Sequence, residues 1–103
     1  MRADFSILEH TKAQFLGSRF HARELREELE QLLARSDELV LDFTGMKSAT
    51  QSFVDELVGV LVLRHGPDIV QRIVFKGCSE DIKEILSFVV ASRSEDHVKK
   101  NRH

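Results

Sequence analysis

A compact apolar run at residues 39–43 lies between two longer segments with helical periodicity, and it limits the folds that are open to the chain. The run reads Leu39-Val40-Leu41-Asp42-Phe43, and short polar stretches bound it on both sides. Such a run is typical of a strand that is buried on both faces of a parallel sheet. We therefore predict a buried central strand whose carboxyl end lies at residues 42–44.

Two amphipathic helices are predicted from apolar residues spaced three and four apart. The first begins after Ser18, and its inner stripe consists of Ala22, Leu25, Leu29, Leu32 and Leu33. Its charged residues outside that stripe are Arg23, Arg26, Glu27, Glu28 and Glu30. The other begins after Ser79 and ends near Arg93, with Ile82, Ile85, Leu86 and Val89 facing inward.

A third helix is predicted between these two, at residues 52–64. Ser52 with Asp55 three residues later fits a capping box, and Asp55 and Glu56 favour the positive amino end of a helix. Nearly every other position is apolar. We therefore expect this helix to be largely buried or to offer apolar surface to a partner.

The remaining apolar runs complete an alternating pattern of strands and helices. Residues 5–9 suit an edge strand, and residues 72–76 form a third strand before Gly77. Alternation of this kind requires helical crossovers between parallel strands. The predicted fold class is α/β, a small sandwich-like βαβαβα domain with a mainly parallel sheet, covering residues 1–93 and followed by a polar tail at residues 94–103. Functional loops in such sheets lie at the carboxyl ends of the strands, here residues 44–51 and 77–79.

The segment Leu41-Asp42-Phe43-Thr44-Gly45-Met46-Lys47-Ser48-Ala49-Thr50-Gln51-Ser52-Phe53-Val54-Asp55-Glu56-Leu57 is similar to STAS domains, the class that includes bacterial anti-sigma-factor antagonists. More closely, it resembles the STAS-like family of unknown function, whose members have a strand ending in Asp-Phe, a loop with Gly, and then Ser-Phe and Asp-Glu-Leu opening a helix. The resemblance extends from about residue 18 to residue 93.

The resemblance implies a regulatory role for Ser52. In antagonist STAS domains an Asp-Ser-Ser-Gly stretch follows the strand, and a partner kinase that is also the anti-sigma factor phosphorylates its second Ser. With Asp42 placed on the strand Asp of that family, Thr50, Gln51 and Ser52 fall on the Asp and the two Ser, and Phe53 replaces the Gly. Three of the four positions therefore depart from the pattern, while the hydroxyl at Ser52 persists.

These observations define a hypothesis and its alternatives. The hypothesis is a non-enzymatic signalling module that binds a regulatory protein, such as a histidine-kinase-like ATPase or an anti-sigma factor, through residues 44–57. The candidate partner-binding or ligand-binding residues are Asp42, Thr44, Thr50, Phe53, Asp55 and Glu56, and Ser52 is either a phosphorylation switch or a helix cap. A phosphate near Asp55 and Glu56 is expected to break an interface by repulsion. The alternative is a domain that senses a small ligand or anion. A homodimer formed through exposed faces of the apolar helix is a further option, compatible with the regulatory hypothesis.

Several other functions are disfavoured by composition. Fifteen Lys and Arg against seventeen Asp and Glu give a net charge of −2, which argues against nucleic-acid binding. No apolar run approaches the ~20 residues that cross a membrane, and a single Cys78 fits a reducing, cytoplasmic compartment. The five His are scattered and no Gly-rich phosphate loop occurs, so no metal or cofactor is expected. No catalytic constellation is expected either, because Ser52 and His65 lie at opposite ends of one helix.

Overall fold

A computed structural model describes residues 1–12 and 15–100 of the chain. Its elements in chain order are β1 (Arg2–Ser6), α1 (Ile7–Thr11), β2 (Phe15–Leu16), α2 (Arg19–Arg35), β3 (Glu38–Asp42), β4 (Ser48–Ala49), α3 (Gln51–Val54), a π-helical segment (Asp55–Gly59), α4 (Val60–His65), a 3-10 helix (Pro67–Arg72), β5 (Ile73–Lys76) and α5 (Glu80–Lys100). The backbone stays in the right-handed helical region from Val54 through Val60. We therefore call residues 51–65 the central rod.

The main sheet is parallel, with the strand order β1-β3-β5. In its register Phe5 lies opposite Leu41, and Leu41 lies opposite Phe75. A second, two-stranded parallel sheet pairs β2 with β4. The α/β fold class and the predicted central strand are thus confirmed, and β1 lies at an edge of the sheet as expected.

One face of the main sheet packs on the central rod. Phe5, Leu39, Leu41 and Ile73 alternate onto this face because successive side chains of a strand point to opposite sides. They join the buried rod residues Phe53, Val54, Leu57, Val58, Leu61 and Val62 in one core. Of the two possibilities for the apolar helix, burial is therefore correct for these residues, and they offer no surface to a partner.

The predicted starts of α2 and α5 are confirmed by their caps. The Ser18 hydroxyl accepts a hydrogen bond from the His21 amide at 3.4 Å, and the Ser79 hydroxyl accepts one from the Ile82 amide at 3.2 Å. A serine at this position satisfies one of the helix-start amides that has no partner within the helix. Local sequence therefore determines both helix starts.

Three boundaries differ from prediction. The strand expected at residues 5–9 ends at Ser6, whose hydroxyl accepts from the Glu9 amide at 3.3 Å and so begins α1. The last helix continues past Arg93 to Lys100, and within this extension Arg93 lies 3.4 Å from Asp96, one turn further on. The expected polar tail is therefore helical as far as residue 100, and residues 101–103 lie outside the described residues. The cap of the apolar helix is the third difference.

Candidate functional site

The central rod begins at Thr50, and the predicted cap at Ser52 is wrong. The Thr50 hydroxyl accepts a hydrogen bond from the Phe53 amide at 3.1 Å and donates one to the Gly17 carbonyl at 3.2 Å. Thr50 thus caps the rod and ties it to the residues before α2. Ser52 is the second residue of the helix, so its hydroxyl is not needed as a cap.

Ser52 borders a cleft between the start of the rod and the start of α2 on one side and α5 on the other. The cleft has a volume of about 400 Å³ and is lined by Arg19, Gln51, Ser52, Asp55, Phe88, Val89, Ser92, Arg93 and Asp96. We call it the Ser52 cleft. Ser52 itself is half-buried, whereas Phe88 is 58% exposed. An exposed aromatic ring beside a charged cleft is typical of a surface that another molecule contacts.

Asp55 is the electrostatic centre of the Ser52 cleft. Its two carboxylate oxygens accept hydrogen bonds from Nε and Nη2 of Arg93, each at 2.7 Å, and Arg19 adds a third at 3.2 Å. Hydrogen bonding to Arg93 is the main reason that the pKa of Asp55 lies below its usual range, and burial opposes the shift. The same contact raises the pKa of Arg93. Asp55 is therefore an anion that already has cationic partners.

Gly59 allows α5 to approach the rod closely enough for the Arg93–Asp55 pair to form. A Cβ atom at position 59 would lie 2.8 Å from Cγ1 of Val89 and 3.1 Å from Cγ of Arg93, and it would collide with the Asp55 carboxylate. Contacts below 3.0 Å force neighbouring atoms to move. The absence of a side chain at Gly59 is therefore part of the geometry of the cleft.

Glu56 does not line the cleft and forms a buried ion pair with Arg26 of α2, and its other carboxylate oxygen lies 3.9 Å from the Arg19 guanidinium. Arg26 also contacts Glu30 at 3.3 Å, and Glu30 lies 3.1 Å from the His65 ring. Arg26 is 5% exposed, although the sequence pattern placed it outside the apolar stripe of its helix. A buried guanidinium requires a paired carboxylate, and Glu56 supplies it.

The π-helical segment brings Asp55 and Glu56 to two different neighbours. The amide of Val60 bonds to the carbonyl of Asp55, five residues earlier, so one extra residue fits into this turn. Asp55 bonds to α5 and to the first residue of α2, and Glu56 bonds to the middle of α2. Single π turns inside helices are frequent at functional sites.

Asp42 and Thr44 lie at the carboxyl end of β3 and do not line the Ser52 cleft. The Asp42 carboxylate accepts a hydrogen bond from the Thr44 amide at 2.8 Å. Hydrogen bonding to the Thr44 side chain, and then to its amide, lowers the pKa of Asp42. Gly77, with φ +68°, packs directly on the Thr44 backbone. The two strand-end loops therefore meet as expected, and Asp42 holds their turn while Thr44 is exposed.

The structure thus separates the candidate residues into three groups. Ser52 and Asp55 line the Ser52 cleft, whereas Phe53 and Glu56 are buried and are not available to a partner. Thr50 caps the central rod, and Asp42 and Thr44 form the turn at the end of β3. Sequence reasoning missed Arg19, Phe88 and Arg93, because two of them lie on a helix more than thirty residues away from Ser52 along the chain.

Among residues 1–12 and 15–100, none of the helices combines the length and the apolar character of a membrane-spanning segment. Within the same ranges no three His, Cys, Asp or Glu side chains gather as a metal ion would require.

The parallel sheet covered by the central rod and by α2 and α5 defines a small α/β domain of the STAS-like type. A family model described as a STAS-like domain of unknown function (DUF4325) matches residues 21–83, and the chain belongs to this family. The match includes Arg26, Asp55 and Glu56 but ends before Arg93. No curated protein and no solved structure matches the chain.

Proposed function

We propose that this STAS-like domain is a non-enzymatic regulatory module that binds a partner protein at the Ser52 cleft, with Ser52 as a phosphorylation switch. The position of Ser52 supports this proposal. Ser52 lines a cleft of about 400 Å³, and its hydroxyl is not the helix cap because Thr50 fills that role. The exposed lining of the cleft, which includes Arg19, Gln51 and Phe88, supplies the contact surface. The resemblance to antagonist STAS domains suggests a histidine-kinase-like ATPase or an anti-sigma factor as the partner.

The charges of the cleft make it sensitive to a phosphate. Its lining contains two cations, Arg19 and Arg93, and two anions, Asp55 and Asp96, so their formal charges cancel. A phosphate at Ser52 adds a charge of about −2 to this balanced set. Arg93 is held by two hydrogen bonds to Asp55, whereas Arg19 is 52% exposed and makes the longer contact. Arg19 is therefore the cation that a phosphate recruits.

Modification at Ser52 is expected to leave the fold intact while changing the surface. Negative charge near the amino end of a helix is stabilising by about 0.3–1 kcal/mol. The core contacts of Phe53 do not involve the Ser52 hydroxyl, and Thr50 keeps the cap. Loss of binding by an acidic variant would therefore report on the interface and not on unfolding.

The test is a capture experiment from the native cells with wild-type and Ser52→Glu domains as parallel baits. We expect a regulatory protein to be retained by the wild type and lost, by about tenfold or more, with Ser52→Glu, because burying the added carboxylate at the interface carries a desolvation cost. Ser48→Glu is the matched control, since Ser48 is exposed, lies four residues earlier and is not part of the cleft. Equal retention of one partner on all three baits would leave Ser52 without a switching role. Absence of any partner on the wild type would contradict the docking function itself.

The second candidate function is sensing of a small anion, which the two arginines of the cleft favour. An anion that binds only the native state raises the melting temperature, and above its dissociation constant the stabilisation grows with the logarithm of its concentration. The expected result is a rise with inorganic phosphate or a small dicarboxylate in the wild type and none in Arg19→Met. A rise of equal size in both proteins would place the anion elsewhere.

A further inference from the structure

A second groove, apolar instead of charged, runs along a neighbouring face of α5. It has a volume of about 540 Å³ and lies between α5, the 3-10 helix and the edge strand β5. Its apolar lining is Val70, Phe75, Leu86, Val90 and Ala91, and its polar lining is Cys78, Lys83 and Ser87. We call it the α5 groove. Volumes of this size are typical of small-molecule sites with apolar walls and few polar groups.

The shape of the α5 groove favours an elongated occupant. Lys83, Ser87, Val90, Ala91 and Ser94 follow one another along α5 at spacings of one, three and four residues. At Ala91 the groove adjoins a further depression of about 480 Å³. Pro67, Ser94 and Val98 line this depression together with one anion, Glu95, and one cation, Lys99, whose formal charges cancel. With a helix rise of about 1.5 Å per residue, Lys83 and Ser94 are about 16 Å apart. An extended dodecanoyl chain has a similar length.

The charge of the α5 groove is positive and is confined to one end. Lys83 is its single ionised side chain, and the lining that the structure describes includes no carboxylate. The Lys83 ammonium contacts Glu80 at 3.5 Å, but both side chains are strongly exposed, so this pair is weak and easily rearranged. A ligand that is apolar along its length and anionic at one end matches this distribution.

We propose that the α5 groove binds a linear monocarboxylate of the fatty-acid type, with the carboxylate at Lys83 and the acyl chain along Phe75, Val90 and Ala91. Such a ligand removes the half-exposed Phe75 and Val90 from water and places a counter-ion on Lys83. The groove is separate from the Ser52 cleft, so this inference does not depend on the proposed regulatory function.

The experiment uses the whole chain, with octanoate, decanoate, dodecanoate and dodecanol as probes below their micelle concentrations. Binding is measured by calorimetry and by the rate at which iodoacetamide alkylates Cys78, which lines the groove and is the single cysteine. We expect dodecanoate to bind and to slow alkylation. We also expect affinity to rise about fourfold for each added methylene, the value that apolar burial gives.

Two variants locate the ligand. Lys83→Met is expected to weaken dodecanoate about tenfold and to leave dodecanol unchanged, because only the carboxylate contacts the ammonium. Ala91→Phe fills the groove from an exposed position and is expected to abolish both binding and the protection of Cys78. Ala34→Phe is the matched control, since Ala34 is an exposed helical alanine on α2 outside the groove.

Several outcomes would overturn the proposal. They are the absence of any dodecanoate binding, affinity that does not depend on chain length, and equal loss of dodecanoate and dodecanol in Lys83→Met. Unchanged binding by Ala91→Phe would place the ligand elsewhere. Protection of Cys78 that grows with protein concentration in the absence of any probe, together with a dimer in sedimentation, would identify a second copy of the chain as the occupant instead.

Discussion

Arg93 places two guanidinium nitrogens 2.7 Å from the two carboxylate oxygens of Asp55, and both side chains are largely shielded from solvent. We expect Arg93→Met to reduce the free energy of unfolding by about 2 kcal/mol, within the usual range of about 1.5–3 kcal/mol for hydrogen bonds to charged groups. The reduction is expected near the lower end of that range because Arg19 remains 3.2 Å from the carboxylate and partly neutralises it. For a chain of this length each kcal/mol lowers the melting temperature by about 4–8 °C.

A double-mutant cycle separates the pair from the packing of the arginine stem. Asp55→Asn keeps the shape of the side chain and removes its charge, and the cycle combines it with Arg93→Met. We expect a coupling energy of about 1–2 kcal/mol, because the two residues are in direct contact. Urea unfolding followed by far-UV circular dichroism supplies the four free energies.

Arg19→Met is the matched control for Arg93→Met. The Arg19 side chain is 52% exposed and makes one longer contact with Asp55, so its removal is expected to cost at most about 1 kcal/mol. A coupling energy near zero between positions 55 and 93 would refute the argument that this pair joins α5 to the rod. A larger loss from Arg19→Met than from Arg93→Met would show that Arg19, and not Arg93, is the main partner of Asp55.

The close packing at Gly59, the hydrogen bonds of Arg72 and the charge of Asp55 can each be tested separately. Gly59→Ala is expected to lower the free energy of unfolding, measured in urea, by about 1–3 kcal/mol, because the added methyl group would lie 2.8 Å from Val89. Alanine favours helices more than glycine does, so a stabilised variant would contradict this packing. Arg72→Met is expected to lower the free energy of unfolding by about 1–2 kcal/mol in the same assay. Its guanidinium donates hydrogen bonds to the carbonyls of Leu33 and Ser36, at 2.5 and 2.7 Å, at the end of α2. An unchanged urea midpoint would show that water replaces the guanidinium as the donor. Because folding lowers the pKa of Asp55, the stability that its carboxylate contributes is complete above about pH 5 and is lost as the pH falls through the folded pKa. The wild type should therefore lose more stability than Asp55→Asn between about pH 5 and about pH 3. Parallel stability profiles of the two proteins against pH would contradict this.

Most of the fold could be predicted because local signals and long-range packing agree. The apolar run at residues 39–43 is the buried central strand, and Ser18 and Ser79 cap the helices that they precede. Periodicity also identifies the inner residues of α2. In these elements each residue's preference is satisfied by neighbours within one or two turns, so a short window of sequence contains the information.

The start of the central rod could not be predicted because two hydroxyl residues compete there. Ser52 with Asp55 fits a capping box, and Thr50 fits a simple cap equally well. Contacts far away in sequence decide between them: the Thr50 hydroxyl reaches Gly17, and Arg93 engages the Asp55 carboxylate. The burial of Arg26 has the same origin, because its partner Glu56 lies thirty residues away. Pairings of this kind become visible only when the elements are assembled.

The burial of the central rod also determines where recognition is possible. The sequence allowed the apolar helix itself to meet a partner, but its apolar side chains fill the core, and only Ser52 and Asp55 of its first turns reach the cleft. A partner must therefore contact the rim, where the start of α2, the start of the rod and the exposed Phe88 of α5 come together. Because Asp55 holds Arg93 by two hydrogen bonds of 2.7 Å and Arg19 by one of 3.2 Å, a charge added at Ser52 would draw on Arg19 and leave the contact between α5 and the rod in place. The proposed switch therefore changes the surface of the cleft without changing the packing of α5.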